Sequence, residues 1–234
     1  MDPAGLVPLG QALRAYHEGE RDAILDFRWD PGQLASVPVA AYFTSPEDGP
    51  GVEVAALDRV RGHVVDVGGG SGRFGLALQA RGYTATGLDV LPDAVAVMQA
   101  RGLEAILADV GQDDPGVRGD TVLVMMNGTT LAGSLAGLAP FLQDLSGLMA
   151  PRGRILIDST DPAHPAVDWL PPGDGRASGE LHVQLGFRKH WGPPLPQLFL
   201  GPEALAAEAA RVGLMARLVT MDPDGRYLAE LTRG

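Results

Sequence analysis

The sequence predicts an α/β protein built on a seven-stranded, mostly parallel, doubly wound sheet that closes in an antiparallel C-terminal hairpin. Three observations carry that expectation. Val64–Gly75 reads VVDVGGGSGRFG, a strand entering a glycine-rich turn and then a helix. Beyond it, short apolar runs alternate with segments of helical spacing, which implies right-handed crossovers between parallel strands. Near the end, Leu214–Met221 and Arg226–Thr232 flank Pro223-Asp224-Gly225, the punctuation of a hairpin.

Residues 1–59 precede the first core strand and read as an N-terminal helical cover. Leu9–Tyr16 and Arg21–Trp29 are each expected to form a short helix, with Pro31-Gly32 breaking the pattern. Val37–Phe43 is apolar and aromatic, 45–51 is a turn or loop, and a helix over Val52–Arg59 leads into the strand. Tyr16, His17, Trp29, Tyr42 and Phe43 are candidate contacts to a ligand under the cover, or packing residues.

After the glycine turn comes a helix over Arg73–Arg81, then a second strand over Tyr83–Leu88 that ends at Asp89. Pro92 suits the first turn of the helix to Arg101, and Gly102 its stop. Glu104–Ala108 is a third strand ending at Asp109. Asp120–Met126 is almost wholly apolar, as a central strand covered on both faces should be, and runs into Asn127-Gly128-Thr129-Thr130. Leu138–Met149 has helical spacing, Ala150-Pro151-Arg152-Gly153 is a tight turn, and Arg154–Ser159 is the fifth strand. Residues 161–200 are fragmented by seven prolines, with Glu180–Lys189 alternating like a strand. They read as a lid-like insertion over the sheet, with His182, Arg188, His190 and Trp191 as candidate pocket residues. Pro202–Val212 is a helix that leads into the hairpin.

The glycines permit close backbone approach and place a ligand at a helix N-terminus, so a nucleotide-like cofactor belongs there. Gly70-x-Gly72-x-x-Gly75 also spells a dinucleotide fingerprint, with Asp89 following Gly72 by 17 residues. Asp66 separates the two. A carboxylate two residues before the first glycine can face an ammonium or brace the loop, whereas a pyrophosphate turn has no use for it. Asp66–Gly72 (DVGGGSG) resembles motif I of the class I S-adenosylmethionine (SAM)-dependent methyltransferases.

That resemblance covers about residues 60–160 by motif and 201–234 by element order. It implies a SAM-dependent methyltransferase, with S-adenosyl-L-homocysteine (SAH) as product, and a site made of Asp66, Gly68, Gly69, Gly70 and Gly72. Asp89 would hold the ribose hydroxyls, Val90 or Leu91 would lie on the adenine face, and Asp109 with Val110 would receive the adenine amine. Met126 and Asn127 would border the methionine portion or the substrate. Asn127-Gly128-Thr129-Thr130 departs from the Asn-Pro-Pro-(Tyr/Phe) run of some amino-methyltransferases, which argues against a nucleobase or amide nitrogen. No general base is recognisable. A nicotinamide-dependent oxidoreductase and a non-catalytic SAM- or nucleotide-binding module are the alternatives.

Bulk properties narrow the partners. A formal charge of −11 and a single lysine disfavour nucleic acid, which is held by clustered cations. A small-molecule acceptor is expected. The absence of cysteine excludes disulfides, no stretch approaches a membrane span, and the N-terminus has no signal-like pattern, so a cytoplasmic protein is expected. The five histidines have no compact ligand spacing, so no metal is expected.

Overall fold

Residues 3–29, 32–170 and 178–234 are described by a computed structural model. Pro31 and two of the seven prolines of 161–200, Pro171 and Pro172, lie outside the described residues. In chain order the elements are α1 (Val7–His17), β1 (Ile24–Trp29), β2 (Gln33–Pro38), α2 (Gly51–Leu57), β3 (Val64–Val67), α3 (Arg73–Ala80), β4 (Ala85–Asp89), α4 (Pro92–Ala100), β5 (Glu104–Leu107) and β6 (Gly119–Val124). They continue with α5 (Leu135–Gly147), β7 (Met149–Thr160), β8 (Ser178–Phe187), β9 (His190–Trp191), β10 (Leu195–Leu200), α6 (Pro202–Arg211), β11 (Leu214–Met221) and β12 (Arg226–Arg233).

The apolar runs with no exposed side become the middle of a seven-stranded sheet ordered β11-β12-β7-β6-β3-β4-β5. β3 pairs in parallel with β4 and β6, and β7 extends the parallel set. β12 and β11 then run antiparallel, as the hairpin predicts. Helices cover both faces: α5 and α6 pack Leu138, Leu142, Leu145 and Leu205 on one, while α2, α3 and α4 pack Leu57, Leu78 and Met98 on the other. Strand order reverses at β3, so the crevice at the C-terminal ends of β3 and β6 is where an open sheet receives its ligand.

A second, antiparallel sheet ordered β10-β8-β1-β2, with β9 on β8, corrects two expectations. The segment read as a helix over Arg21–Trp29 is instead the strand β1. Leu25, Phe27 and Trp29 alternate with Asp26 and Arg28, and the strand is held by β8, with Phe27 opposite Leu185 and Trp29 opposite Val183. The N-terminal cover is therefore α1 plus a hairpin rather than helical throughout. The turn expected at 150–153 is a bulge inside β7: register against β6 jumps from Met149 to Arg154, and Arg152 has φ 63°.

The cover is fastened to the glycine turn. Ser71 donates to the Tyr42 carbonyl, and Arg73 Nε donates to the Thr44 carbonyl at 2.7 Å. Arg73 also grips Glu53 of α2 through two bonds of 2.8 and 2.6 Å, with both side chains buried. Removing one partner leaves the other charge desolvated, so Arg73→Met is expected to destabilise the fold by about 3–5 kcal/mol, read from urea unfolding.

Candidate active site

Two cavities meet at the crevice. The first, of about 300 Å³, is lined on the β3–β4–β5 side by Gly68, Gly70, Asp89, Val90, Leu91, Asp109 and Val110. Its far wall is α5, where Gly137, Pro140, Phe141 and Asp144 share one face at spacings of 3, 1 and 3. The second, of about 370 Å³, lies over Met126 and Asn127 and is roofed by Phe27 and Trp29 of β1, Leu185 of β8 and Phe199 of β10. Leu6, Leu9, Gly68 and Leu131 line both, so the two spaces share a wall.

The glycines divide by task. Gly68 and Gly70, at φ 72° and 56°, line the first cavity, and a Cβ on Gly70 would meet nothing closer than 3.9 Å. Gly69 and Gly72 line neither cavity: a Cβ there would lie 2.8 Å from Met98 Sδ and 3.0 Å from Met98 Cγ. Those two let the turn pack on α4, while the other two leave room for a ligand.

Asp89 stands at the tip of β4, its Oδ2 accepting from the Gly70 N–H and its Oδ1 from the Leu91 N–H, both at 2.9 Å. Burial nevertheless raises its pKa. Asp109 accepts the Gly111 N–H at 3.0 Å, bracing its own loop while it lines the cavity. Asp144, which the sequence reading missed, faces the same end; desolvation first and then the Asp109 charge raise its pKa. Its only signal in the sequence is a place on the α5 face that carries Phe141.

Asp66 lies below the cavity wall rather than in it. Its pKa is pushed up to about 7, mainly by burial and then by the Asp89 charge, against a lowering bond from the Gly75 N–H. Oδ2 of Asp66 is buried without a hydrogen-bond partner among the described residues.

Met126 and Asn127, expected near the cofactor, belong to the second cavity. Both have left-handed backbones, at φ 67° and 62°, a costly conformation for residues with side chains. Asp158 of β7 holds them there: it accepts the Asn127 N–H at 3.0 Å and the Gly128 N–H at 2.8 Å. Burial pushes its pKa up to about 6. Asn127 Oδ1 is occupied by the Thr160 hydroxyl at 2.8 Å.

Of the cover's aromatics, Trp29 and Tyr42 line the second cavity, and burial pushes the Tyr42 phenol up to about 12, keeping it neutral. Tyr16, His17 and Phe43 line neither; Tyr16 and Phe43 pack on each other. The lid candidates are corrected too. Arg188 and His190 border a separate surface depression, Trp191 carries Arg28 on its ring, and the described residues from 161–200 that reach the cavity are Trp169, Leu185, Gln197 and Phe199. No group of three His, Cys, Asp or Glu side chains is placed to hold a metal among the described residues, and no helix there is long and apolar enough to cross a membrane.

No family model and no curated protein matches the sequence. Solved structures do. A SAM-dependent methyltransferase from Bacteroides fragilis, in complex with S-adenosyl-L-homocysteine, is 29% identical and superposes with a TM-score of 0.88 over 99% of this chain and 97% of that one. The chain has the class I methyltransferase fold and, by this likeness, is a SAM-dependent methyltransferase. More distant structures share the fold of this methyltransferase. CalS10 from Micromonospora echinaspora, an amino pentose methyltransferase, is 20% identical over 83% of this chain and 95% of that one, with a TM-score of 0.58. The sugar N-methyltransferase KedS8 from Streptoalloteichus is 18% identical over 78% and 84%, also at 0.58.

Two outcomes are expected of variants in the turn. Gly70→Val projects into the cavity and should abolish SAH binding by calorimetry while the protein remains folded by circular dichroism. Asp66 has a higher pKa folded than its ordinary value of 3.8, so its burden on the fold is absent below about pH 4 and grows as pH rises through 7. Asp66→Asn should therefore gain melting temperature over the wild type at pH 8 and little or none at pH 4.

Proposed function

We propose that this methyltransferase takes SAM in the cavity between the glycine turn and α5, and methylates a small molecule received in the neighbouring cavity under the second sheet. The observation that carries the cofactor assignment is charge. Among the described residues three acids, Asp89, Asp109 and Asp144, line the first cavity, and no lysine, arginine or histidine does. The Gly70 N–H, the donor a pyrophosphate would need, is already spent on Asp89. Such a wall suits a ligand carrying an ammonium and a sulfonium and disfavours a dinucleotide.

The residues fit the group. Gly68 and Gly70 leave the room, and Asp89 retains lone pairs beyond its two backbone bonds for ribose hydroxyls. Val90 and Leu91 supply an apolar face, and Asp109 and Asp144 can accept from an exocyclic amine. Asp66 and Gly72 support the turn from below. When bound, SAM supplies an electrophilic methyl group. The chain's own contribution is to align the acceptor and exclude water, which the shared wall of Leu6, Leu9 and Leu131 can do.

A small acceptor follows from the second cavity, whose volume falls within the roughly 300–1,000 Å³ of small-molecule sites. The neighbours described as sugar N-methyltransferase and amino pentose methyltransferase are consistent with that class of acceptor.

Calorimetry tests the cofactor assignment directly: SAH should bind and NAD should not. Asp89→Ala should weaken SAH by about 100-fold, the worth of two hydrogen bonds to a carboxylate. Binding of NAD in place of SAH, or an unchanged affinity in the variant, would overturn it.

A further inference from the structure

Among the described residues three charged side chains line the acceptor cavity: Glu53, Arg226 and Asp158. Two of them already have counter-ions. Glu53 is held bidentately by Arg73, and Arg226 is clasped by Asp224. Asp158 has neutral partners only, the N–H groups of Asn127 and Gly128, one on each oxygen. A carboxylate offers about four lone-pair sites, so acceptor capacity is left over. The charge is fixed in place, because the same two bonds hold the left-handed bend at Met126 and Asn127.

The cavity's other feature is its aromatic lining. Phe27 and Trp29 stack with centroids 5.7 Å apart and planes at 17°, and Trp169 meets Phe199 edge to face at 5.5 Å. All four rings border the space over Asp158. Ring faces attract cations, most strongly where water is excluded. A carboxylate whose hydrogen-bond partners are all neutral, with Arg226 acting on it only through space while held by Asp224, and a set of aromatic rings converge on one chemistry. A neutral hydroxyl could hydrogen-bond the carboxylate but would leave its charge uncompensated and gain no cation–ring attraction, and an acidic acceptor would be repelled.

We infer that the acceptor is an amine, received as its ammonium by the Asp158 carboxylate within this aromatic enclosure. The inference rests on the methyl-transfer reading above. Asp158 then also takes the ammonium proton. One N–H bond breaks and an O–H bond forms on Asp158; the electron pair left on nitrogen forms the bond to the methyl carbon as the methyl–sulfur bond breaks, and that bond's pair stays on the sulfur, which leaves as the neutral thioether of SAH. The carboxyl group returns the proton to water after the product leaves. Burial first and then the Glu53 charge push the Asp158 pKa up, the bonds from the Asn127 and Gly128 N–H groups and then Arg226 oppose them, and the resulting value of about 6 suits proton exchange near neutrality.

The test is calorimetric binding of matched probes to the full chain saturated with SAH at pH 8: phenethylamine against 2-phenylethanol, and cyclohexylamine against cyclohexanol. Each amine should bind at least 10-fold more tightly than its alcohol. Asp158→Asn should bring each pair within 2-fold of one another. Trp29→Leu should weaken the amines about 5-fold and leave the alcohols within 2-fold, and it decides the matter alone should Asp158→Asn fail to fold. Alcohols bound as tightly as amines, a preference that survives Asp158→Asn, or no binding of any probe would overturn the inference. Failure of SAH itself to bind the wild type would sink the methyl-transfer reading instead. A merely structural Asp158 would show as lost SAH affinity or lowered melting with the amine preference intact.

Discussion

Met98 and Leu103 occupy the space that four missing Cβ atoms leave, and the geometry of the crevice depends on that contact. Added Cβ atoms on Gly69 and Gly87 would lie 2.8 and 2.4 Å from Met98 Sδ, and one on Gly75 would lie 2.6 Å from Leu103. Both side chains are buried. The start of α3, the turn before it and the adjacent strand β4 are thereby drawn onto α4 more closely than any other residue type would allow. With that side of the turn pinned, Gly68 and Gly70 are left facing the cavity. The close packing sets the curvature, and the curvature makes the ligand's room.

Negative charge runs through both cavities and comes at a cost to the fold. Asp66, Asp89 and Asp158 are all buried, and burial raises the pKa of each. Apolar residues of similar size would fill those places with less penalty. What Asp89 and Asp158 provide is negative charge on the walls of the two cavities, and backbone bonds that hold the Gly70 and Asn127 turns in shape. The pair of left-handed residues at Met126 and Asn127 is the same trade at the level of the backbone: local strain, borne because Asp158 ties both following amides.

The central sheet was legible because its signals are local. A buried parallel strand is an unbroken apolar run, and a glycine after it marks the turn, so Val64–Val67, Gly119–Val124 and the C-terminal hairpin could be placed from a few residues each. Of the second sheet only β8 was legible, through the alternation of 180–189; its partners were not, because the pairing is distant: β1 depends on β8 more than 150 residues later. The alternation of Leu25, Phe27 and Trp29 with Asp26 and Arg28 is nonetheless present in the sequence. β10 was hidden by Pro196, which an edge strand tolerates. Within the site, Asp66 and Asp89 stood out beside glycines. Asp158 has the same character, an acid breaking an apolar strand, but no glycine motif drew attention to it, and Asp144 could be found only once α5 had been oriented against the cavity.

The enclosure over the second cavity is assembled from two stretches of chain, one ahead of the sheet and one inserted within it, and the Thr129 hydroxyl bonds across to Leu198 and Ser159 to moor the inserted stretch to the floor. Redirecting such an enzyme to a new acceptor is therefore a two-segment problem. Grafting residues 24–38 from a relative without 178–200 would mismatch the strand register between the donor and host pieces, whereas exchanging both together would carry a whole specificity module onto an unchanged cofactor-binding half.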